Sequence, residues 1–424
     1  MGHSGSCATR SLVGIEPALS PIELSWNLAV LLAVAGVGRV ALAFLPAGLP
    51  GRHGPGQLAD TWAACHLLGL AALHLQLALL VRVSVEPNGW TLFLPWVLLA
   101  VVRVESLPAA MVPRHEPRAE RPGRAATLVL AATLLAVITA AWRVVSVGHG
   151  PSPDAAGFAL LRQAVGAYGE SPGLLGTASY GALLVLVARG LSTARRAPLD
   201  RRLLVLALAC TPLLFASAAG AGGSAHAGLF VAAAGAFGLA WLRRADRRAG
   251  ALALIALLAL PLFDPGLRWL ALAGGASLVA ADSRDGAGRA AARAAAVLVG
   301  GGAALFALER RMIGEPFAGL AGRFGSFAIW PLWWLAAVAA AGVALARSLR
   351  ARPGGSAADR PAIEAPARES LFLGLFLGSG LVAVGLAPPS ASGAEAAGLL
   401  ALLPVAALLA GLVFLRTETP GGAA

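Results

Sequence analysis

The segment ERRMIGEPFAGLAGRFGS, residues 309–326, gathers charged side chains in a chain that is otherwise largely apolar. Its cations are Arg310, Arg311 and Arg323. Guanidinium groups bind phosphate through two parallel hydrogen bonds and stay charged at every relevant pH, so this cluster is suited to hold a pyrophosphate. The alternative interpretation is that these arginines pair with Glu309 and Glu315 or with lipid headgroups.

Two histidines are candidates for a general base, because imidazole titrates near neutral pH. His226, in GAGGSAHAG, stands at the predicted end of an apolar run, where function and simple interface placement explain it equally well. His149 stands in the polar sequence VGHGPSPD. Close by, Arg162 accompanies apolar residues at helical spacing in GFALLRQAVGAYG, which predicts an interfacial helix. An amphipathic cap with no chemistry is the favoured interpretation of this helix, and substrate binding by Arg162 is the alternative.

A second group of polar side chains lies inside apolar runs. His66 and His74 are about two helical turns apart within residues 59–81. Interhelical hydrogen bonding is the interpretation we favour for these two rings. With Arg103 and Glu105, they would also suit a transporter, which needs polar groups at mid-membrane.

Several other chemistries have no support in the sequence. There is no P-loop lysine, CxxC pair, HExxH helix or G-x-S-x-G elbow. Cys7, Cys65 and Cys210 have no paired spacing. We therefore expect no ATP hydrolysis, no disulfide framework, no metal and no cofactor.

The composition predicts an all-α polytopic integral membrane protein. Hydrophobic residues make up 58% of the chain, charged residues only 13%, and the mean hydropathy is +0.76. The net charge is +12, the sequence contains no lysine, and its arginines are spread through short loops between apolar runs. That distribution is typical of a membrane topology signal and does not indicate a nucleic-acid partner.

Hydropathy predicts about thirteen membrane-spanning helices, within a range of twelve to fourteen. They are expected at residues 22–45, 59–81, 90–112, 125–146, 173–193, 203–220, 225–242, 249–263, 266–281, 291–308, 326–346, 370–387 and 397–415.

Arginine-rich loops predict the orientation of these spans, since cytoplasmic loops accumulate arginine. Five such loops, each adjacent pair enclosing two spans, occur at 114–124, 195–202, 243–248, 284–293 and 347–368. They predict a cytoplasmic C-terminus and put residues 309–325 outside. The orientation of the N-terminal third depends on whether 90–112 crosses fully.

The expected organisation has five parts. They are an extracytoplasmic segment at 1–21, a bundle of about four spans at 22–146, an outer interfacial loop at 147–172, a helical region at 173–415 with an outer loop at 309–325 and a cytoplasmic linker at 350–369, and a cytoplasmic tail at 416–424.

From about residue 173 onward, the order of features resembles the bacterial O-antigen ligase and polysaccharide polymerase family. GLLGTASYGALLVLVARGL, from Gly173, resembles the family's Gly-x-x-Gly-Asn-Pro-Asn opening of a span, with Thr-Ala-Ser at 177–179 in place of Asn-Pro-Asn. GGSAHAGLFV, from Gly222, is similar to its Gly-Ser-Arg-Gly turn, with Ala225 at the arginine position and His226 beside it.

The third resembling segment is IGEPFAGLAGRF, within residues 309–326. It is similar to the family's His-Pro-x-x-Gly-x-Gly segment, keeping Pro316, Gly319 and Gly322 but having Glu315 at the histidine position. The family's large outer loop, which carries a later histidine, is short here.

The resemblance implies a metal-independent glycosyltransferase of the bacterial inner membrane. It would move a glycan from undecaprenyl pyrophosphate to a hydroxyl at the outer face, so its partners would be membrane lipid and lipid-linked glycan. Arg310 and Arg311 would hold the pyrophosphate, and His226 or His149 would assist the acceptor. The departures from the family pattern also allow a diverged or inactive member.

Two other function classes remain as alternatives. One is a non-catalytic transporter or flippase for a lipid or small solute. The other, ranked lower, is a glycosyltransferase of the dolichyl-phosphate-mannose type, which this chain resembles only in being polytopic.

Overall fold

The computed structural model of the chain describes residues 20–45, 57–102, 124–147, 161, 164, 174–219, 224–263, 267–282, 336, 339, 340, 342, 343, 360–386 and 394–417. Within these residues the chain forms twelve α-helices and no β-strand. Arg196 and Thr417 form an isolated antiparallel bridge.

The helices follow in chain order as α1 Pro21–Ala43, α2 Gln57–Arg82, α3 Gly89–Val102, α4 Arg124–Val147, α5 Leu174–Thr193, α6 Pro198–Ala209, α7 Pro212–Ala219, α8 Ser224–Arg244, α9 Arg247–Phe263, α10 Arg268–Asp282, α11 Arg360–Leu386 and α12 Ala394–Phe414.

Five of the described helices are long and apolar enough to cross a membrane. These stretches are Pro21–Ala43, Thr61–Val81, Arg124–Ser146, Leu174–Thr193 and Ala225–Arg244, with shorter apolar helices at Gly89–Val102 and Leu400–Phe414. Helices satisfy every backbone hydrogen bond internally, which is what a span in hydrocarbon requires. The described part of the chain is therefore an all-α, multi-pass membrane protein, as its composition predicts. The count of thirteen membrane spans is larger than the number of described helices that could cross a membrane, and it stays a prediction.

Two element boundaries differ from the sequence prediction. The predicted span 203–220 is two helices, α6 and α7, which are separated at Cys210 and Thr211. The break has a local cause, because Pro212 has no N–H to continue α6 and is instead suited to the first turn of α7. Helix α11 begins at Arg360, inside the segment expected to be a linker.

Two predicted spans lie mostly or wholly outside the described residues. Residues 291–308 are outside them, and in 326–346 only residues 336, 339, 340, 342 and 343 are described, all helical.

Helix α8 lies at the centre of the bundle. It packs against α5, α9 and α12 and also contacts α2, α7, α10 and α11. In its apolar window 89% of the residues are buried, compared with 11% for α4. His226, the polar side chain near the start of α8, is therefore surrounded by protein, whereas α4 presents its apolar side chains to the surroundings of the bundle.

The directions of the central helices follow from their contacts. Helices α5 and α8 are parallel, because Ser179 contacts His226 near their N-termini and Gly190 faces Ala236 further along. Helix α9 is antiparallel to α8, since Phe263 at its C-terminus contacts His226. The C-termini of α5 and α8 therefore lie at the end of the bundle where α9 begins.

That end, which we call the Arg-rich end, is held together by Arg196, Arg243 and Arg248. Each guanidinium donates to one or two carbonyl oxygens at the C-terminal end of a helix. Arg196 donates to Leu412 and Leu415 at the end of α12, the latter at 3.0 Å. The other acceptors are Thr193 at the end of α5 and Leu42 at the end of α1. Cations at helix C-termini satisfy orphan carbonyls and oppose the helix dipole.

A buried carboxylate joins this network. Nε of Arg243 lies 3.3 Å from Oε1 of Glu369 on α11, a contact ion pair without hydrogen-bond geometry. Glu369 precedes the predicted span 370–387. Burial raises the pKa of the Glu369 carboxyl, and the charges of Arg243 and Arg196 partly oppose that rise.

Helices α1 and α2 approach each other through glycines. A Cβ atom on Gly38 would overlap the backbone carbonyl of Cys65, and one on Gly69 would overlap that of Val34. Small residues permit such close backbone contact, which is the main source of helix association in a membrane. The contact fixes α1 against α2 on the turns that carry Cys65 and the adjacent His66.

Candidate functional site

The hydroxyl of Ser179 lies between two imidazole rings inside the bundle. Ser179 Oγ is 3.0 Å from Nε2 of His66 and 2.7 Å from Nδ1 of His226. The three side chains come from α5, α2 and α8, each a candidate membrane span. Their exposed fractions are 0% for Ser179, 1% for His66 and 0% for His226, so all three are enclosed by protein.

A third imidazole lies beside this group. His74, also on α2, is 2% exposed, and its Nδ1 lies 2.7 Å from the carbonyl oxygen of Leu70. The rings of His74 and His226 both contact Phe263, with centroid distances of 5.3 and 5.6 Å. We call His66, Ser179, His226 and His74 the His–Ser array.

Two hydrogen bonds on another face of α5 direct Ser179 toward α2 and α8. Thr177 donates to the carbonyl of Ala218 on α7, and Tyr180 donates to the carbonyl of Ala209 on α6. Residues three apart share one helix face, so this pair binds α6 and α7 while Ser179 lies on a different side. Trp62 stacks on His66, with ring centroids 5.7 Å apart.

The array is suited to proton transfer. A serine hydroxyl has one proton to donate and lone pairs to accept, and each neutral imidazole has one N–H and one acceptor nitrogen. Ser179 can therefore accept from one ring while donating to the other, and shifting both protons reverses the direction of the chain. Each such shift moves one unit of charge between α2 and α8.

The side chains of the array are not arranged as a metal-binding cluster. Among the residues that the structure describes, no group of three or more His, Cys, Asp or Glu side chains could hold a metal ion. The group between the two imidazole rings is a serine hydroxyl, which is a poor ligand for the divalent metals that favour imidazole.

Of the predicted site residues, the structure describes His226. It lies in the first turn of α8 and is fully buried in the array. His149, Arg162, Arg310, Arg311 and Arg323 lie outside the described residues.

Ser179 is not among the site residues predicted from the sequence, although this serine lies in one of the segments that carry the family resemblance. His66 does make an interhelical hydrogen bond, whereas His74 bonds within its own helix. The one feature of the sequence that pointed to Ser179 as a functional residue is its place within residues 177–179, where the family has Asn-Pro-Asn. A serine is otherwise common in a membrane helix built of small residues.

No protein-family model, no curated protein and no solved structure matches this chain, so the geometry of the His–Ser array is the evidence available for its function.

Proposed function

We propose that this protein is a proton-transferring transporter of the bacterial inner membrane and that the His–Ser array is its proton relay. The observation that carries the proposal is a single hydroxyl within 3.0 and 2.7 Å of two imidazoles from different membrane helices. Such a donor–acceptor chain is the arrangement through which protons move in pumps and transporters.

Stability alone is a weak reason to keep three histidines in this position. A hydrogen bond between membrane helices contributes only about 0.6 kcal/mol on average, and apolar side chains would pack the same space without desolvating imidazole. Ionisable residues inside membrane helices are therefore read first as functional. Two of these histidines share one hydroxyl and the third lies beside them, which favours a path for charge.

The relay balances in protons. A proton that reaches the outer ring nitrogen of His66 releases the proton on its Nε2 to Ser179 Oγ. Ser179 passes its own hydroxyl proton to Nδ1 of His226, so the hydroxyl is regenerated and His226 carries the charge. Nε2 of His226, which does not face Ser179, then releases its proton. Both neutral rings now carry their proton on the opposite nitrogen, so the Ser179 hydroxyl must rotate and each ring must regain its first tautomer by proton exchange before the next transfer.

The sidedness that we propose follows from the charges. The Arg-rich end would lie in the cytoplasm, together with the C-terminus, and about thirteen spans would complete the bundle. The positive-inside rule supports this orientation, since Arg196, Arg243 and Arg248 all belong to that end.

The test is proton flux into liposomes that contain the purified full-length chain. A potassium gradient with valinomycin would drive protons, and an enclosed pH-sensitive dye would report them. We expect Ser179→Ala to reduce the flux at least about tenfold, because no group then connects the two rings. The matched control is Ser277→Ala, which also removes a buried hydroxyl, one that donates to its own helix at Ala273.

The two serine variants give a clear decision. Loss of flux in both would indicate damage to the bundle. Wild-type flux in Ser179→Ala, or no flux in the wild-type protein above empty liposomes, would rule out the relay.

A second candidate is the glycan ligase or polymerase activity. It is favoured by one observation, since Ser179 and His226 belong to two of the three segments that carry the family resemblance and lie 2.7 Å apart. Here His226 would be the base for the acceptor, with Arg310 and Arg311 holding the pyrophosphate.

This candidate has its own test in a bacterial strain that lacks the gene. Arg310→Ala combined with Arg311→Ala should express normally and let lipid-linked glycan accumulate, and lysine at both positions should restore only part of the function. An unchanged glycan profile at normal protein levels would exclude the ligase.

A further inference from the structure

We propose that Trp62 is a further functional residue of the relay, whose indole stabilises the positively charged form of His66 through a cation–π contact. The inference deepens the proposed function and rests on it for its biological meaning. The contact itself can be measured without a transport assay.

Trp62 and His66 lie one turn apart on the same face of α2. Their ring centroids are 5.7 Å apart and their planes differ by 15°, so the two rings are stacked. The face of an aromatic ring carries negative potential, and a cation within about 6 Å of the ring centroid is attracted to it. The His66 ring is therefore placed where its charged form would be stabilised.

The indole of Trp62 is held between two helices. A Cβ atom built on Gly181 of α5 would lie 3.8 Å from Cη2 of Trp62, which is ordinary van der Waals contact. Trp62 is itself exposed on one side, whereas His66 is buried. The indole thus covers one face of the His66 ring at the edge of the bundle.

The relay requires His66 to become charged. The ring takes a proton on Nδ1 while Nε2 still carries one, and an imidazolium among apolar helices is costly unless other groups interact with it. Among the residues that the structure describes, His66 contacts the hydroxyl of Ser179 and the indole of Trp62, and no carboxylate contacts the ring. His226 and His74 cannot supply a negative charge, because imidazole is either neutral or positive. The indole face is therefore the π system available to the charged ring.

The contact leaves the proton balance of the relay unchanged. Nδ1 of His66 gains one proton, Nε2 gives one to Ser179, and the indole neither gains nor loses an atom. The flux follows the population of the charged ring, since that form passes the proton on. A cation–π contact with tryptophan favours a cation by about 2- to 30-fold, depending on how far the pair is removed from water.

The first experiment replaces Trp62 by tryptophans that carry one, two or three fluorine atoms on the benzene ring, introduced at this codon alone in the full-length chain. Fluorine withdraws electron density from the face of the indole and changes its size little, so the packing is kept. We expect proton flux into liposomes to fall with each added fluorine, by at least about threefold with three. A flux that does not depend on fluorine would overturn the inference.

The matched control is the same series at Trp96. Its indole N–H donates to Oε1 of Gln76 over 2.7 Å, outside the array, and its flux should not change with fluorine. Equal losses at both positions would show a general effect of fluorine and would overturn the role of Trp62. Natural variants extend the series, because Trp62→Phe keeps a smaller π face and should retain more flux than Trp62→Leu.

A second measurement separates this inference from the proposed function. Nitrogen-15 solid-state NMR of the histidine-labelled chain in bilayers counts the His66 rings that carry two protons in mildly acidic buffer, with His66→Gln identifying the signal. We expect this fraction to fall as fluorine is added at Trp62. Such a fall without proton flux in the unmodified protein would remove the transporter and leave the contact standing. Proton flux together with a fraction that ignores fluorine would keep the transporter and overturn the role of Trp62.

Discussion

The hydroxyl oxygen of Ser179 lies 2.7 Å from Nδ1 of His226, although 47 residues separate the two in sequence. The same hydroxyl reaches His66 on a third helix. One serine therefore cross-links α2, α5 and α8 and also completes a chain of exchangeable protons. Removing this hydroxyl should lower both the stability of the fold and the rate of proton transfer.

Replacing Ser179 by alanine should destabilise the fold. The change leaves two buried imidazole nitrogens without their shared partner, at a cost of about 1–2 kcal/mol. Ser277→Ala should cost less than half as much, since the hydroxyl of Ser277 bonds only the carbonyl of Ala273 in its own helix. Unfolding in mixed micelles with increasing denaturing detergent measures both, and equal losses would contradict a cross-linking role for Ser179.

The α1–α2 contact should not tolerate a methyl group at Gly38. A Cβ there would overlap the Cys65 carbonyl, so Gly38→Ala must push the helices apart and should cost at least about 2 kcal/mol. At Gly36 nothing lies within 4 Å of the added Cβ, and Gly36→Ala should be neutral or slightly stabilising because alanine favours the helix. Thermal unfolding of the two variants in detergent distinguishes them, and equal stability would argue against the close contact.

Arg196 should anchor the end of α12. Its guanidinium donates to Leu412 and Leu415, so Arg196→Ala strips two carbonyls of their partner and should cost about 1–3 kcal/mol. Lysine should restore only part of this, because one ammonium cannot reproduce the planar fork. The neighbouring Arg195 is exposed, and Arg195→Ala is the control for loss of charge alone. Hydrogen exchange at the end of α12 should increase only in the Arg196 variants.

Glu369 should make stability depend on pH. Burial raises the pKa of this carboxyl above its usual value of 4.5, so the folded state binds the proton more tightly than the unfolded state. The stabilisation is complete below about pH 4.5 and is lost as the pH rises through the raised pKa of the folded state.

Glu369→Gln mimics the protonated form and isolates this dependence. The two proteins should be similarly stable in acid, and the wild type should become the less stable of the two as the pH approaches neutrality. Arg243→Gln should move the transition to higher pH, because the charge of Arg243 opposes the rise of the Glu369 pKa more than that of Arg196 does. Melting temperatures between about pH 4 and pH 8 test this, and a constant difference between wild type and Glu369→Gln would contradict it.

Cysteine labelling should separate the two ends of the bundle. In a background without native cysteines, Arg195→Cys at the Arg-rich end should react with an impermeant maleimide only after the cells are opened. Glu86→Cys, in the exposed turn between α2 and α3, should react in intact cells. Both positions are exposed, so a difference reports sidedness. The reverse pattern would invert the proposed orientation.

The sequence by itself determined the class of the molecule. Long apolar runs with few charges can satisfy their backbone in a membrane only as helices, and that holds whatever their neighbours are. The arginines at 195–202 and 243–248 also predicted that these two loops lie at the same end of the bundle, because the position of charges along the chain can be read from the sequence alone. Even the break between α6 and α7 has a cause in the local sequence, because Pro212 cannot continue α6.

Only the tertiary structure decided which polar residues meet. The sequence favoured interhelical hydrogen bonding for His66 and left His226 open between function and interface placement, but helical periodicity says nothing about which helices become neighbours. Ser179 is one small residue in a helix of small residues, and it acquires a role only because parallel packing of α5 against α8 brings it to His226 while α2 brings His66 to its other side. Long-range packing, which no local pattern encodes, brought His66, Ser179 and His226 into hydrogen-bond contact.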